Sequence, residues 1–151
     1  MKKIILLAST ILIVALVFTA CNKTKMYENR LDGGEWNVTE LSVDGVNETE
    51  LPHWNIGDCD AYKESCTGEW KNHEGGNGKF VWQFREKGGK FEISNQSELT
   101  GDHAQDEVVL QCQNFSGVYD VIEHEKKSMK FESTTTLGFS GKKVVITIEK
   151  E

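Results

Sequence analysis

An apolar residue at every second position of KFVWQFREKGGKFEISN limits the possible folds of this chain more than any other feature. Phe80, Trp82 and Phe84 are spaced so that their side chains share one face of a β-strand. A KGGK turn follows, and Phe91 and Ile93 then resume the same period. The stretch therefore predicts a β-hairpin with one buried aromatic face.

Other stretches with this period predict a protein built from short strands. Trp36 and Val38 alternate with polar residues, and Leu41 and Val43 continue one step out of phase, which indicates a β-bulge at residues 39 and 40. Further strands are predicted over Val108–Cys112, Val118–Ile122, Met129–Phe131 and 144–148. At least six such strands joined by glycine turns indicate an all-β antiparallel sandwich or barrel, and a small barrel removes exposed strand edges by closing.

The period is lost between residues 46 and 79. This segment contains the only proline of the chain, two of its four tryptophans and two of its four cysteines. A connection of this length without clear elements is unusual inside a compact domain and is either functional or mobile. We therefore predict one long irregular loop, with a short helix or an extra strand within it as the alternative.

The N-terminus has the features of an exported and anchored protein. Lys2 and Lys3 precede an uncharged apolar run that ends in Thr19-Ala20-Cys21, which is the order of a secretory signal peptide. Small residues directly before a cysteine resemble the lipobox of bacterial lipoproteins. The resemblance implies cleavage before Cys21 and acyl chains on it, which would anchor the protein in a membrane. The alternative is a transmembrane anchor, although a run of 17 residues is at the lower edge of what spans a ~30 Å hydrocarbon core.

This interpretation divides the chain into a signal peptide at 1–20, a lipidated polar tether at 21–30 and one β domain at 31–151. The chain has 17 Lys and Arg against 24 Asp and Glu, and loss of Lys2 and Lys3 leaves 15 against 24, a net charge of −9. Binding to nucleic acid depends on clustered basic residues, so we expect no nucleic-acid partner. We expect the mature protein to be a monomer.

Export would deliver Cys59, Cys66 and Cys112 to an oxidising compartment, where disulfides are permitted. Three is an odd number, so one thiol is expected to stay free. Cys59 and Cys66 flank a short polar stretch and are the first choice for a bridge. The alternative pairs Cys112 with either of them; otherwise Cys112 is expected to be a small buried hydrophobe.

Gly34-Glu35-Trp36, near the start of the β domain, matches the G-x-W motif in the first strand of lipocalins. The run SGVYDVIEHEKKSMKFES followed by KKVVITIEK resembles the closing strands of lipocalin-like bacterial lipoproteins. The resemblance implies an up-and-down barrel of about eight strands, closed at its bottom by Trp36, whose interior can hold a small apolar ligand. It also implies a basic residue on a late strand that packs over the tryptophan, and the sequence does not single out which residue this is.

Five aromatic residues are candidates for lining a ligand site, because aromatic walls with few polar groups are typical of ligand pockets. They are Trp54, Tyr62, Trp70, Phe80 and Trp82. The alternative is that they are ordinary core residues. The four histidines are scattered, and the sequence has no H-E-x-x-H, C-x-x-C or G-x-S-x-G motif, so we expect no catalytic residues, no metal and no other cofactor.

Together these features predict a non-enzymatic lipoprotein of the cell envelope. It would be lipid-anchored in the outer membrane, on the periplasmic or the surface face, and its lipocalin-like barrel would bind a small apolar ligand. The alternative is a structural or interaction module of an outer-membrane complex, whose barrel is plugged by its own side chains. The two differ because a carrier needs a cavity open to solvent, whereas a plugged barrel needs an exposed apolar patch.

Overall fold

The computed structural model describes residues 23–59 and 65–151. The predicted signal peptide, its predicted cleavage site, Cys21 and Tyr62 lie outside the described residues. The described elements in chain order are α1 (23–31), β1 (Gly34–Val43), β2 (Val46–Asn47), β3 (His53–Ile56), β4 (Cys66–Lys71), β5 (Asn77–Arg85), a 3-10 turn (Glu86–Gly88), β6 (Lys90–Asn95), α2 (His103–Asn114), β7 (Gly117–His124), β8 (Ser128–Ser133) and β9 (Val144–Lys150). Within those residues, no helix combines the length and the apolar character needed to cross a membrane.

Eight of the strands form a closed antiparallel barrel. β1 and β3 to β9 are joined in chain order, and β9 pairs back with β1 from Trp36 opposite Lys150 to Val43 opposite Val144. The short β2 adds a ninth strand, which pairs with the end of β1. The all-β antiparallel fold predicted from the alternation is therefore confirmed, and of its two alternatives the barrel is correct, with the eight-stranded up-and-down order that the resemblance implies.

The two local features predicted from the alternation are also present. The pairing of β1 with β9 shifts register between Val38 and Glu40, where the change of phase indicates a bulge. In the β5–β6 hairpin, Trp82 lies opposite Ile93, and the burial pattern places alternate residues of both strands inside the barrel. Lys87 and Gly88 have φ of 60° and 85° in the turn between them, a region that glycine adopts without strain.

Residues 46–79 contain several strands, so the prediction of one long irregular loop is wrong. β2, β3, β4 and the start of β5 lie in this segment, and Trp54 of β3 is directly opposite Trp70 of β4. The period is hard to see in the sequence because β3 has only four residues. In β4 an inward position is occupied by Gly68, which has no apolar side chain to mark the alternation.

Residues 103–114 form helix α2, so the strand predicted over Val108–Cys112 is wrong. The Asp102 carboxylate accepts a hydrogen bond from the Gln105 backbone N–H and caps the helix. Val108 and Cys112 are four residues apart and both buried, which places them on one face of a helix.

Residues 23–31 form helix α1, which differs from the polar tether predicted over 21–30. Tyr27 and Leu31 of this helix are buried, at 5% and 0% exposure. The Tyr27 ring centroid lies 5.6 Å from that of Phe84 and 4.4 Å from that of His124. This part of the segment therefore packs against the end of the barrel.

Candidate functional site

The interior of the barrel is filled by aromatic side chains. All four tryptophans are at most 1% exposed. Ring centroids lie 5.4 Å apart for Trp54 and Trp70 and 4.4 Å apart for Phe91 and Phe131, distances at which rings are in direct contact. Gly68 makes room for Phe80, because a Cβ at this glycine would lie 2.5 Å from the ring Cζ.

Four of the five predicted ligand residues belong to this interior: Trp54, Trp70, Phe80 and Trp82 are all buried in one core cluster. Their positions are those of core residues, which was the alternative interpretation. Phe80 also borders a hollow of about 610 Å³ whose other lining residues include Thr67 and Lys79. Two indole N–H groups have acceptors, since Trp82 donates to the Thr67 carbonyl (3.2 Å) and Trp70 to the Gln111 side chain (2.9 Å). The Trp54 indole N–H has no acceptor among the described residues.

The α1 end of the barrel is closed around Trp36. The Trp36 indole N–H donates to the Leu31 carbonyl (3.2 Å), and the Lys150 ammonium lies 5.5 Å from the centre of the Trp36 rings. The lipocalin resemblance implies a basic residue on a late strand that packs over Trp36. Lys150, at the end of β9, lies in this position. Gly34 has φ of 142°, and a Cβ there would lie 3.2 Å from Lys150 Cε, so a glycine suits this position on two grounds.

Helix α2 covers the other end of the barrel. Phe115, just after the helix, stacks on Trp70 with 6.2 Å between ring centroids. Gly76 allows the helix to come close, because a Cβ there would lie 2.6 Å from Val108 Cγ2. α1 contacts the end of β5 and α2 contacts its start, so about 26 Å of strand separates the two helices.

Gln111 of α2 links the helix to two parts of the barrel. Its side-chain oxygen accepts the indole N–H of Trp70, and its amide N–H donates to the Glu50 carbonyl at 3.0 Å. Gln111 is not among the predicted site residues, because the apolar pattern of this stretch predicts a strand. The signal that could have found the helix is Asp102 followed three residues later by Gln105, a pairing typical of helix N-termini.

The cysteines pair as the first choice predicted. Cys59 and Cys66 form a disulfide, with 5.1 Å between their Cα atoms, which closes the connection between β3 and β4. Cys112, a residue of α2, is free and buried, and burial raises the pKa of its thiol to about 12. It is a small buried hydrophobe, as predicted for an unpaired Cys112, although it lies on a helix rather than a strand.

A groove runs between α2 and the segment 48–50, and we call it the α2 groove. It has a volume of about 610 Å³, and Leu110, Phe115 and Phe139 form its apolar surface. Carboxylates of Glu48, Glu50, Asp106 and Glu107 also line it, whereas no described Lys or Arg does. The His103 imidazole lies in the lining too, close enough to Asp106 to interact with its charge. A smaller hollow of about 180 Å³ shares Glu50, Glu107 and Gln111 with the groove and adds Glu74.

Backbone hydrogen bonds favour the ionised form of Asp106, at the edge of the α2 groove. Its carboxylate accepts hydrogen bonds from the backbone N–H of Thr100 (2.6 Å) and from that of Gly101 (2.9 Å). The Thr100 backbone N–H is the main cause that lowers the pKa of this carboxyl below its usual value. The same bonds hold the loop that leads into α2.

Over 23–59 and 65–151, no three His, Cys, Asp or Glu side chains are grouped as a metal site would require.

Comparison with known proteins identifies a likeness in structure alone. No protein-family model matches the chain. No curated protein matches it either. The crystal structure of a lipocalin-like protein from Bacteroides uniformis ATCC 8492 is similar, with 19% sequence identity over 81% of this chain and 99% of that chain and a TM-score of 0.47. The class of this protein, a closed eight-stranded antiparallel barrel, is therefore defined by its own strand pairing.

Proposed function

We propose that the protein is a non-enzymatic, lipid-anchored module of the cell envelope that acts through the outer surface of a filled barrel. The observation that carries this proposal is the packing of the interior. Aromatic rings in mutual contact occupy it, and a helix covers each end. A barrel filled in this way suits an interaction module better than a carrier.

The signal peptide and the cysteine that follows it support the proposed location. Cys21 lies two residues before α1, so acyl chains on Cys21 would hold the α1 end of the barrel next to the membrane. The Cys59–Cys66 disulfide is compatible with an oxidising compartment outside the cytoplasm. The α2 end would then face away from the membrane.

Exposed apolar residues at the α2 end support a role in binding a partner. They lie in separate segments at this end of the barrel: Val46 (71% exposed), Leu99 (56%), Leu110 (44%) and Leu137 (71%). Leu110 also lines the α2 groove. Exposed apolar side chains at a groove are typical of an interaction site.

The proposed anchor is tested by replacing Cys21 with serine and separating membranes from soluble material. We expect Cys21→Ser to move the protein out of the membrane fraction, because the serine cannot take the acyl chains. Lys25→Ser is the matched control, since Lys25 is an exposed residue of α1 and should leave the protein in the membrane. A Cys21→Ser variant that stays with the membrane would overturn the lipoprotein assignment and favour a spanning N-terminal segment.

A carrier of a small apolar ligand is the second candidate function. The hollow beside Phe80 and the unpartnered indole N–H of Trp54 favour it. Mass spectrometry of the protein purified from its own host, under native and then denaturing conditions, separates the two candidates. The bare mass of the protein under both conditions agrees with a filled barrel, and an additional small mass under native conditions alone would favour the carrier.

A further inference from the structure

We infer that the α2 groove docks a peptide segment of a partner protein in which Lys or Arg stands next to an apolar side chain. The inference rests on the proposed function, because it names the chemistry of the partner for an envelope interaction module. Two halves of the groove carry it, an apolar surface that is left exposed and carboxylates that are left unpaired.

The apolar half extends from α2 to the connection between β8 and β9. Leu110 is 44% exposed on the outward side of α2. Phe139 lies beside the helix, with its ring centroid 5.0 Å from that of Phe115. Leu137, which is 71% exposed, precedes Phe139 by two residues, and its backbone N–H donates to the Ser116 carbonyl at 2.9 Å. Leu110 and Phe139 therefore supply the accessible apolar part of the groove, and Leu137 is an exposed apolar residue two positions before Phe139 in the chain.

The carboxylates decide which occupant suits this surface. Glu48, Glu50 and Glu107 form no ion pair with any residue in the described part of the chain. Asp106 adds a fourth negative charge, which its backbone hydrogen bonds maintain. An occupant with positive charge is complementary to this rim, and a like-charged occupant is repelled. An apolar side chain of the same occupant can cover Leu110 and Phe139.

The shape of the site suits an extended chain rather than a compact molecule. The smaller hollow shares Glu50 and Glu107 with the α2 groove, so the two continue one another along the helix. The walls are held before binding, because Gln111 ties α2 to Trp70 and to the segment 48–50. A site whose walls are already ordered loses less entropy when it binds.

Binding is tested on the full chain, extracted from its membrane in an uncharged detergent, with a labelled short peptide of alternating Lys and Leu. Fluorescence anisotropy measures the affinity, and empty detergent micelles serve as the blank. The same peptide with Glu in place of Lys tests the role of charge. We expect the basic peptide to bind at least about tenfold more tightly than the acidic one, and to weaken as salt is raised.

A double variant tests whether the carboxylates of the groove are responsible. Glu50→Gln combined with Glu107→Gln should weaken binding of the basic peptide about 3- to 10-fold, the range for two exposed ion pairs. Glu123→Gln combined with Glu125→Gln makes the same change of charge at the α1 end and should change the affinity less than about twofold. Equal weakening by the two pairs would mean that net charge, not the groove, attracts the peptide, and would overturn the inference.

A second pair of variants tests the apolar half. Leu110→Ser should weaken binding, whereas Ile122→Ser, at a residue of similar exposure (48%) on the outside of β7, should not. Equal affinity of Leu110→Ser and the unchanged protein, or no measurable binding of the basic peptide, would refute the inference. The proposed function is tested separately, by membrane fractionation and by the native mass. If the protein stays with the membrane and has a bare native mass but does not bind the peptide, only the inference about the partner fails.

Discussion

Replacing Trp36 with alanine should destabilise the barrel more than most single substitutions. Trp36 is 0% exposed, and removal of a buried tryptophan side chain costs about 3–5 kcal/mol. The substitution also leaves the buried carbonyl of Leu31 without its donor, which costs about 1 kcal/mol or more. We therefore expect a loss in the upper half of that range, about 4–5 kcal/mol.

The loss can be measured by denaturant unfolding followed by far-ultraviolet circular dichroism, because tryptophan fluorescence would itself change in the variant. A loss of this size should lower Tm by roughly 10–20 °C in a chain of this length. Val46→Ala is the control, since Val46 is 71% exposed and its loss should cost less than about 0.5 kcal/mol. A cost below about 1 kcal/mol for Trp36→Ala would refute the conclusion that Trp36 fills the α1 end of the barrel.

Three further predictions follow from the packing and the charges. Gly68→Ala should cost about 1–3 kcal/mol in unfolding experiments, because its Cβ would press on the Phe80 ring; a neutral result would indicate spare room in the interior. Cys112 should not react with a thiol reagent at mildly alkaline pH until the protein is unfolded, since burial raises its pKa to about 12, and rapid labelling of the folded protein would contradict its burial. Asp106 has a pKa below the usual 3.8, so its carboxylate stabilises the folded state above that pH and the contribution is lost as the pH falls through the lowered pKa. Asp106→Asn should therefore lower Tm near neutral pH, and this effect should shrink as the pH falls through the lowered pKa; an effect that does not change with pH would be inconsistent with this cause.

Local patterns predicted the strands that combine a clear alternation with a clear turn. The β5–β6 hairpin is confirmed because Phe80, Trp82 and Phe84 face one side and the turn has two adjacent glycines. The bulge in β1 is also confirmed. It could be predicted because a change of phase in the apolar residues is visible without knowing the partner strand.

Patterns failed where one stretch of sequence fits two periods. Val108, Val109 and Cys112 look like the core of a strand, but residues four apart also share one face of a helix. The capping pair Asp102 and Gln105 is the local signal that favours the helix. In the segment 46–79 the strands are short and one inward position is a glycine, so the apolar signal was too weak to identify them.

The candidate site could be predicted only in part, because it depends on which rings meet inside the barrel. The sequence identified Trp54 and Trp70 as candidates for a ligand wall. The structure places them side by side in strands β3 and β4, in contact with each other, with Phe115 stacked on Trp70. The α2 groove was not predicted at all, since its walls come from segments separated by more than fifty residues, such as Glu50 and Gln111.

By itself the sequence determined that the chain is built mainly from short antiparallel strands, because alternation and turns are encoded in neighbouring residues. The same local reading predicts export from the N-terminal residues. The tertiary structure decided that β9 closes on β1, that α1 and α2 cover the two ends and that the aromatic side chains fill the interior. These outcomes depend on contacts between residues far apart in the chain. Their free energy comes from burial against a partner surface, which local patterns do not specify.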